Sequence, residues 1–434
     1  MNLSDKKVFN NMSWVIVCKI IQSFLGLIIN RFTANYLGTE NFGALNYAIT
    51  VTTFVLPIAQ LGLSAVIVQN IVTKKDKEGE ILGSAIFMSF VSSFLCYVLI
   101  LFYVERVNSN EIEAIVCCAT YGLSLFAQAF HLIVYWFQAK FLSKYISIVS
   151  VIAYFLTSIY KIILLIFNAD LWLFAFSYSI DFCLVSALGF FFYKKKSSYR
   201  LKIKKDEIID LFNSGRHFII PGLMVTIFAQ TDKLMLKQMM GNYEIGIYSA
   251  AYTCAYALNF IFVAMIDSFR PVILENNETD NILFEKNMKT MFSVFLFSSI
   301  FVCIFFCLFS KVIVHLFFGL KYSEAVPVLC VVVWHTMFSY IGACRDIWIL
   351  AKKKQNLLCW LNLIGASINI LLNYFFIKEF GIIGAAWASV ISQFLLFIGF
   401  GFVLRPIRHC TVLLCQSLNI KYAVDYIKDL MKRG

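Results

Sequence analysis

Residues 290–310 read TMFSVFLFSSIFVCIFFCLFS, twenty-one positions without a charged side chain. At a rise of about 1.5 Å per residue, a helix of that length covers the roughly 30 Å hydrocarbon core of a bilayer. Backbone groups find no water there, so the segment must satisfy its own hydrogen bonds, and it lacks the alternation of a porin strand. It is a spanning helix. Outward from it, eleven more runs of the same kind occupy 13–36, 44–70, 81–104, 112–137, 146–167, 171–193, 217–240, 245–268, 325–350, 357–377 and 382–404. With 60% hydrophobic and 14% charged residues and a mean hydropathy of +0.79, the 434-residue chain lies outside the range of soluble domains. The expected fold class is all-α integral membrane, with twelve transmembrane helices.

The cations orient it. With the N-terminus inside, 27 lysines and arginines fall on the cytoplasmic face and only Arg106, Lys311, Lys321 and Lys378 on the other. Positive residues are retained inside, so both termini are expected in the cytoplasm. The net charge of +12 then reflects topology and attraction to anionic headgroups, and requires no nucleic acid. The polar start runs into an apolar segment long enough to span, without a small-residue cleavage pattern, so the first helix is expected to be its own insertion signal. All thirteen cysteines lie in spans or on the cytoplasmic side with no C-x-x-C pair, so structural disulfides are not expected. Cys303 and Cys307 share a helix face as small packing residues.

The chain repeats itself. The first external connection reads Gly38-Thr39-Glu40-Asn41-Phe42-Gly43 and the one after the seventh span Gly241-Asn242-Tyr243-Glu244-Ile245-Gly246, at an offset of 203 residues. Spans three, five and six find counterparts in nine, eleven and twelve at offsets close to 210. A six-helix unit repeated in one orientation relates the halves by an axis along the membrane normal, and the paired glycines supply positive φ to short connections. The expected organisation is a six-helix bundle over 1–193, a basic cytoplasmic linker over 194–216 lying partly on the membrane surface, a second bundle over 217–404 and a cytoplasmic amphipathic tail over 405–434. In the tail Ile420, Val424, Ile427 and Met431 recur at helical spacing among Lys421, Asp425, Lys428 and Asp429.

Catalytic chemistry has little to stand on. There is no G-x-x-x-x-G-K-[ST], H-E-x-x-H, D-x-D or G-x-S-x-G, so no phosphate loop, metal site or nucleophile elbow is expected. The histidines, His131, His217, His315, His335 and His409, are scattered; His335 beside Trp334 is either a proton relay or a packed side chain.

Charges inside the spans ask for a reason, because each central one costs roughly 2.5–3.5 kcal/mol to insert. They are Lys19, Arg31, Lys161, Asp181, Asp232, Lys233, Lys237, Asp267, Arg345 and Asp346. Lys237 lies within a turn of the external interface and can snorkel; Asp267 can pair with Arg270 at i, i+3; Arg345 and Asp346 sit near the cytoplasmic end. Lys161 and Asp181 fall at similar depths on neighbouring spans and are expected to form an ion pair. Arg31 precedes Gly38 by seven residues and Lys233 precedes Gly241 by eight, so the repeat sets a cation at nearly one depth on both sides of a central cleft. With Lys19 and Lys237 against Asp232, spans one and seven carry net positive charge, and such a cleft wants an anion; arginine and lysine favour phosphate oxygens. Pro57 with Gly62 interrupts span two, Pro221-Gly222 opens span seven and Pro327 sits early in span ten, as hinges or as fixed kinks.

The run Asn35-Tyr36-Leu37-Gly38-Thr39-Glu40-Asn41-Phe42-Gly43, followed by Gln60-Leu61-Gly62-Leu63, resembles polysaccharide flippases of the Wzx type, in the multidrug/oligosaccharidyl-lipid/polysaccharide exporter superfamily. So do Asp232-Lys233-Leu234-Met235-Leu236 with Gly241, Gly246, Tyr248 and Ala251; Phe318-Gly319-Leu320-Lys321-Tyr322 with Ala325; and Asn369 and Asn373 with Gly381, Gly384, Ala385 and Ala386. The resemblance implies two six-helix bundles around a central cavity that opens alternately to either side. Its implied cargo is an undecaprenyl-pyrophosphate-linked oligosaccharide, carried to the outer leaflet of a bacterial inner membrane for O-antigen or capsule assembly. A polymerase and chain-length proteins of the same pathway are its implied partners, beside membrane lipids. The implied substrate-binding cations are Arg31, Lys19 and Lys233, and Asp232 matches the acidic position of the seventh-span motif. Twelve spans instead of fourteen set the chain apart from the lipid II flippase branch.

A doubly negative pyrophosphate moving outward through an inside-negative potential gains roughly 4–5 kcal/mol per 100 mV, so no ATP site or other cofactor is needed; proton or sodium coupling stays open. Two rivals stand beside this reading. An ion-coupled drug exporter of the same superfamily would prefer acidic cavity residues, of which Asp232 and Asp181 are candidates. A membrane polysaccharide polymerase would carry a large external loop, and every outer connection here is short.

Overall fold

The computed structural model describes residues 3–433, with side chains except at 3–13, Lys75, Thr279, Ile427 and 429–433. Lys6, Lys7, Lys75, Lys432 and Arg433 of the cation count, and Ile427, Asp429 and Met431 of the tail, lie outside the described side chains.

Among the described residues, Glu78–Val107, Ile112–Ala139, Ser143–Ile166, Leu171–Lys196, Lys205–Met239, Asn281–Leu308 and Ala325–Ala351 are each apolar and long enough to cross once. Trp14–Thr73 and Asn356–Val403 have 60 and 48 residues, far more than one crossing needs. At 1.5 Å per residue they amount to about 90 and 70 Å, two to three hydrocarbon thicknesses, so each is a pair of spans. One glycine makes the reversal in each: Gly38 at φ 74°, ψ 177° and Gly381 at φ 60°, ψ −137°, conformations that a Cβ penalises. Asn242–Ala255 and Asn259–Glu278 meet at 49° as one broken span. Twelve spans result, as the hydropathy required. Gly241 is at φ 137°, so the repeated turn glycine has positive φ in both halves, whereas Gly43 and Gly246 lie inside helices. A single glycine suffices to reverse the chain.

The chain packs as two compact units, Met1–Gln230 and Thr231–Gly434. Apolar burial drives helix association weakly in lipid, so close backbone approach and polar contacts matter more. In the first unit a core of Leu63, Ile67, Ile81, Leu82, Trp136 and Phe137 sits beneath the basic end. There the segment after Lys196 runs along the start of the third span. A Cβ on Gly79 would come 2.1 Å from the Arg200 carbonyl oxygen and one on Gly83 2.5 Å from that of Lys202, so only glycine fits. Lys77 pairs with Glu207 at 3.0 Å, Lys74 with Asp210 at 3.1 Å and Lys204 with Glu80 at 2.8 Å. Lys140 pairs with the buried Glu78, to which Trp136 Nε1 also donates at 2.8 Å.

One sequence expectation changes here. Pro221 and Gly222 do not open the seventh span: the helix begins at Lys205 and runs unbroken to Met239, accommodating the missing proline N–H. Around Gly62 the backbone is closely packed. The helix ending at Ala59 contains Pro57, Leu61 and Gly62 take φ 52° and 63°, and a Cβ on Gly62 would stand 2.6 Å from the Gly215 carbonyl oxygen. Gly222 meets Pro57 nearby, at 3.2 Å from its own ideal Cβ, so all four candidate hinge residues belong to one tight crossing. Pro327 lies in the first turn of Ala325–Ala351, where no helical N–H is lost.

In the second unit Asn281–Leu308 packs on Ala325–Ala351, which packs on Asn356–Phe394; a π-helical turn, Leu395–Gly399, follows. The tail forms two helices, Arg405–Gln416 and Lys421–Arg433, one more than its spacing indicated. Both dock on this unit: Ile407 and Leu413 are buried, Ser293 Oγ donates to the Asn419 carbonyl at 3.3 Å, and Tyr426 packs on Phe269 at 5.2 Å. All thirteen cysteines are free.

Candidate functional site

Asp232 is the centre of a buried polar cluster in the second unit. It lies on the seventh span and is 5% exposed. Its carboxylate accepts from Tyr248 Oη at 2.7 Å, from Asn373 Nδ2 at 2.7 Å and from Ser389 Oγ. Asn373 Nδ2 also reaches Asn369 Oδ1 at 3.1 Å, and Asn369 Nδ2 donates to Ser392 Oγ at 3.1 Å. Three donors on one carboxylate are what a charged group at spanning depth requires, since an uncompensated one would take up a proton or expel the helix. Asn373 Nδ2 thus draws an oxygen of Asp232 and one of Asn369 toward itself, and Asn373 Oδ1 is buried with no donor. No group of three histidine, cysteine or carboxylate side chains suited to a metal ion occurs among the described residues.

An aromatic ladder leads away from this cluster. Tyr252 stacks on Tyr256 with centroids 4.3 Å apart, and Lys233 Nζ stands 4.7 Å from the Tyr252 ring centre. Gln393 Nε2 donates to His335 Nε2 at 3.0 Å, which leaves Nδ1 of a neutral imidazole to carry the proton and donate to Tyr256 Oη at 3.1 Å. Of the alternatives for His335, the structure thus gives it a hydrogen-bonded place between two spans. Sequence reasoning found Asp232, Lys233 and His335 but did not weigh Tyr252, Tyr256, Ser389 or Gln393. The signal was present: Tyr248, Tyr252 and Tyr256, then Asn369 and Asn373, then Ser389 and Gln393, are polar side chains four residues apart on otherwise apolar helices.

The remaining charges sort by what they touch. Lys237 does not snorkel: it is 5% exposed and engaged by a neighbour, because it shares a buried stripe with Leu236 instead of facing the interface. Arg345 is buried, pairs with Asp346 at 2.8 Å, and donates Nη1 to the Leu396 carbonyl at 2.9 Å, which the π-helical turn presents. Asp267 and Arg270 meet at 3.7 Å, the i, i+3 pair that their spacing implied. In the first unit Lys161 and Asp181 do not close an ion pair. Lys161, buried, lies 4.3 Å from the Tyr178 ring centre, and Asp181 accepts from Thr157 Oγ1 at 3.3 Å; the tyrosine takes the place next to the ammonium that the carboxylate was expected to fill. Arg31 is half-buried and Lys19 exposed on the first span. Neither has a carboxylate within ion-pair distance among the described residues, and the same holds for Lys233.

Spanning helices with charges sunk among them make this a polytopic membrane protein, and its fold is one that solved transporters share. The inward-facing form of a multidrug resistance MATE family transporter matches with a TM-score of 0.71 and 13% identity, over 90% of this chain and 95% of that one. The inward closed form of the lipid II flippase MurJ matches with a TM-score of 0.70 and 17% identity, over 96% and 92%. More particularly, residues 8–277 match the profile described as polysaccharide biosynthesis protein, and the chain belongs to that family. The capsular polysaccharide biosynthesis protein CapF of Staphylococcus aureus is 21% identical over 408 residues, 92% of this chain and 99% of that protein.

Proposed function

We propose that this protein is a flippase that carries undecaprenyl-pyrophosphate-linked oligosaccharide from the inner to the outer leaflet of a bacterial cytoplasmic membrane, with both termini in the cytoplasm, for O-antigen or capsular polysaccharide assembly. The observation that carries the reading is Arg31 and Lys233: basic side chains at spanning depth, on repeat-related helices, with no carboxylate within ion-pair distance among the described residues. Arg345, paired with Asp346, is by contrast a structural cation, while Lys161 resembles Lys233 in resting on a tyrosine ring without an ion pair. In this scheme the unpaired Arg31 and Lys233 bind an anion, and a pyrophosphate offers it with bidentate oxygens for the guanidinium. Membership of the polysaccharide biosynthesis family supports a glycan cargo, and the near-complete coverage of CapF supports capsule as one destination. The Asp232 cluster supplies the coupling site in this scheme. A proton or sodium ion there would neutralise the carboxylate and draw on Asn369 and Asn373 oxygens.

The test is a deletion strain. Lipid-linked repeat units accumulate on the inner leaflet and surface polysaccharide is lost, and Arg31→Ala with Lys233→Ala fails to restore it although the protein reaches the membrane. Restoration by the double variant at wild-type level sinks the assignment of the two cations. Loss of drug resistance with intact polysaccharide favours the exporter instead.

A further inference from the structure

Two cavities of the first unit share the lining residues Phe190 and Leu201 and so lie side by side. One, of about 340 Å³, starts at Gly83 and is walled by Phe87, Phe90, Phe130 and Ile203. The other, of about 410 Å³, is lined by Lys194, Ser197, Ser198, Tyr199 and Arg200, while Lys202 stands at the rim of the first. An apolar slot thus borders a basic, hydroxyl-rich recess.

The ion pairs decide what belongs in it. At the same end of this unit Lys74, Lys77, Lys140 and Lys204 each hold a carboxylate. Lys194, Arg200 and Lys202 hold none among the described residues, so the recess keeps positive charge of its own, with Asp76 reached only through Tyr199 Oη at 3.3 Å. The recess is also built. Tyr193 Oη donates to the Tyr199 carbonyl at 2.9 Å, Lys202 N to the Gly79 carbonyl at 3.1 Å, and Lys204 N to Ser84 Oγ at 3.0 Å. With Gly79 and Gly83 admitting the backbone, the segment carrying the cations is fixed against the third span.

We propose that this slot and recess together bind an anionic glycerophospholipid of the adjacent leaflet, one acyl chain lying in the slot and the phosphate among Lys194, Arg200 and Lys202. An apolar slot immediately beside the basic recess selects a lipid over a free phosphate. Depth selects a resident phospholipid over the transported lipid. The slot's wall on the third span runs from Gly83 to Phe90, about 10 Å at 1.5 Å per residue, within the roughly 15 Å of one leaflet. A cargo that must change leaflets gains nothing from a slot confined to one. Through the segment 197–204, the lipid would tie the start of the long Lys205–Met239 helix to the composition of the membrane. The inference stands apart from the cargo assignment above.

Native mass spectrometry of the purified full-length protein tests it, with phosphatidylglycerol and phosphatidylcholine of equal chains as probes. Phosphatidylglycerol is expected to be retained about tenfold better, and Lys194→Gln with Arg200→Gln and Lys202→Gln to bring it down to the phosphatidylcholine level. Lys286→Gln with Lys289→Gln and Lys421→Gln, the same charge change in the second unit, leaves retention unchanged, as does Lys194→Arg with Lys202→Arg. Four results overturn the proposal: equal retention of the two lipids, undiminished retention by the glutamine triple variant, displacement by inorganic phosphate, or preferential displacement by undecaprenyl phosphate, which would make the site the cargo's. Should the triple variant not fold, lipid selectivity and the two competitors, measured on the unmodified protein, still decide.

Discussion

Asp232 and Lys233 are adjacent in sequence and do not pair. The carboxylate is enclosed by Tyr248, Asn373 and Ser389, whereas the ammonium lies over the Tyr252 ring at 4.7 Å. Consecutive residues on a helix point about 100° apart, so one turn of the seventh span sends its anion into a nest of donors and its cation to an aromatic face. The two charges therefore face different surroundings, and in the proposed scheme the first would serve a small cation and the second an anion.

If Asp232 serves a coupling cation, its charge matters more than its shape. Asp232→Asn keeps the volume and turns one acceptor into a donor facing Tyr248 and Ser389. That forfeits charge-assisted bonds worth about 1.5–3 kcal/mol but also removes the expense of a buried ion, so the melting temperature in detergent should shift little. Export of labelled precursor should fall by about tenfold or more, on the scale of an intramembrane functional charge. Wild-type export by the asparagine variant would reduce the cluster to a structural role.

The fold was largely legible because a bilayer leaves few solutions: apolar runs of spanning length gave twelve helices, and Gly38 and Gly241 marked equivalent reversals by their positive φ. The site was legible only in part. Hydropathy flags a charge such as Asp232 but is blind to neutral polar partners, so Tyr256, Ser389 and Gln393 passed as ordinary span residues. Depth along two helices also could not settle whether Lys161 meets Asp181, since a rotation of either helix by a fraction of a turn puts Tyr178 between them in contact range. The Lys205 helix start was hidden because a charged, amphipathic extension looks like a linker until Glu207 and Asp210 find Lys77 and Lys74.

At the basic end of the first unit, the hydrogen bond and charge of Glu207 raise the pKa of Lys77 above its usual 10.5. A raised lysine pKa means that the folded state binds its proton more tightly than the unfolded chain. The stabilisation is then fully present below pH 10.5 and is lost as pH climbs through the higher folded value. Lys77→Gln should lower the melting temperature by a similar amount throughout neutral pH, with the gap from wild type closing only in the strongly alkaline range. Because the lysine side chain is 53% exposed, added salt should shrink the gap as well. A gap that closes on acidifying from pH 8 to 6 would assign the effect to another group.

Gly62→Ala carries two penalties at once. The residue sits at φ 63°, and its Cβ would stand 2.6 Å from the Gly215 carbonyl oxygen and 2.7 Å from Phe218 Cβ, with backbone on one side unable to yield. Strain and overpacking together should cost about 2–5 kcal/mol. Gly38→Ala is the comparison: at φ 74° and ψ 177° it also strains the backbone but has open space around the new methyl, so only a strain of about 1–3 kcal/mol applies. Denaturant titration in mixed micelles should rank Gly62→Ala well below Gly38→Ala in stability, and the reverse order would mean that the crossing opens easily.

Arg345 separates a structural intramembrane cation from the unpaired ones. Its guanidinium serves two clients at fixed angles, Asp346 through Nε and Nη2 at 3.2 and 2.8 Å and the Leu396 carbonyl through Nη1 at 2.9 Å, with the Phe397 ring 4.5 Å away. A lysine is a point charge on a flexible stem and can reach one of the two, so Arg345→Lys should not rescue. Arg345→Leu strands both Asp346 and the carbonyl of a π-helical turn that has no helical donor to spare. Breaking one side of a buried pair costs about 3–5 kcal/mol, and the 39% exposure of Asp346 places this case at the lower end. Adding Asp346→Leu removes the stranded charge and should recover most of the loss, leaving the Leu396 carbonyl as the residual cost. The melting temperatures of both single variants and the double should therefore be non-additive, with the double more stable than Arg345→Leu alone. Export should follow stability across this set, unlike the Arg31 and Lys233 variants, which should lose export without losing stability. Additive melting temperatures would show that Asp346 does not depend on Arg345, and the contrast between structural and binding cations would then fail.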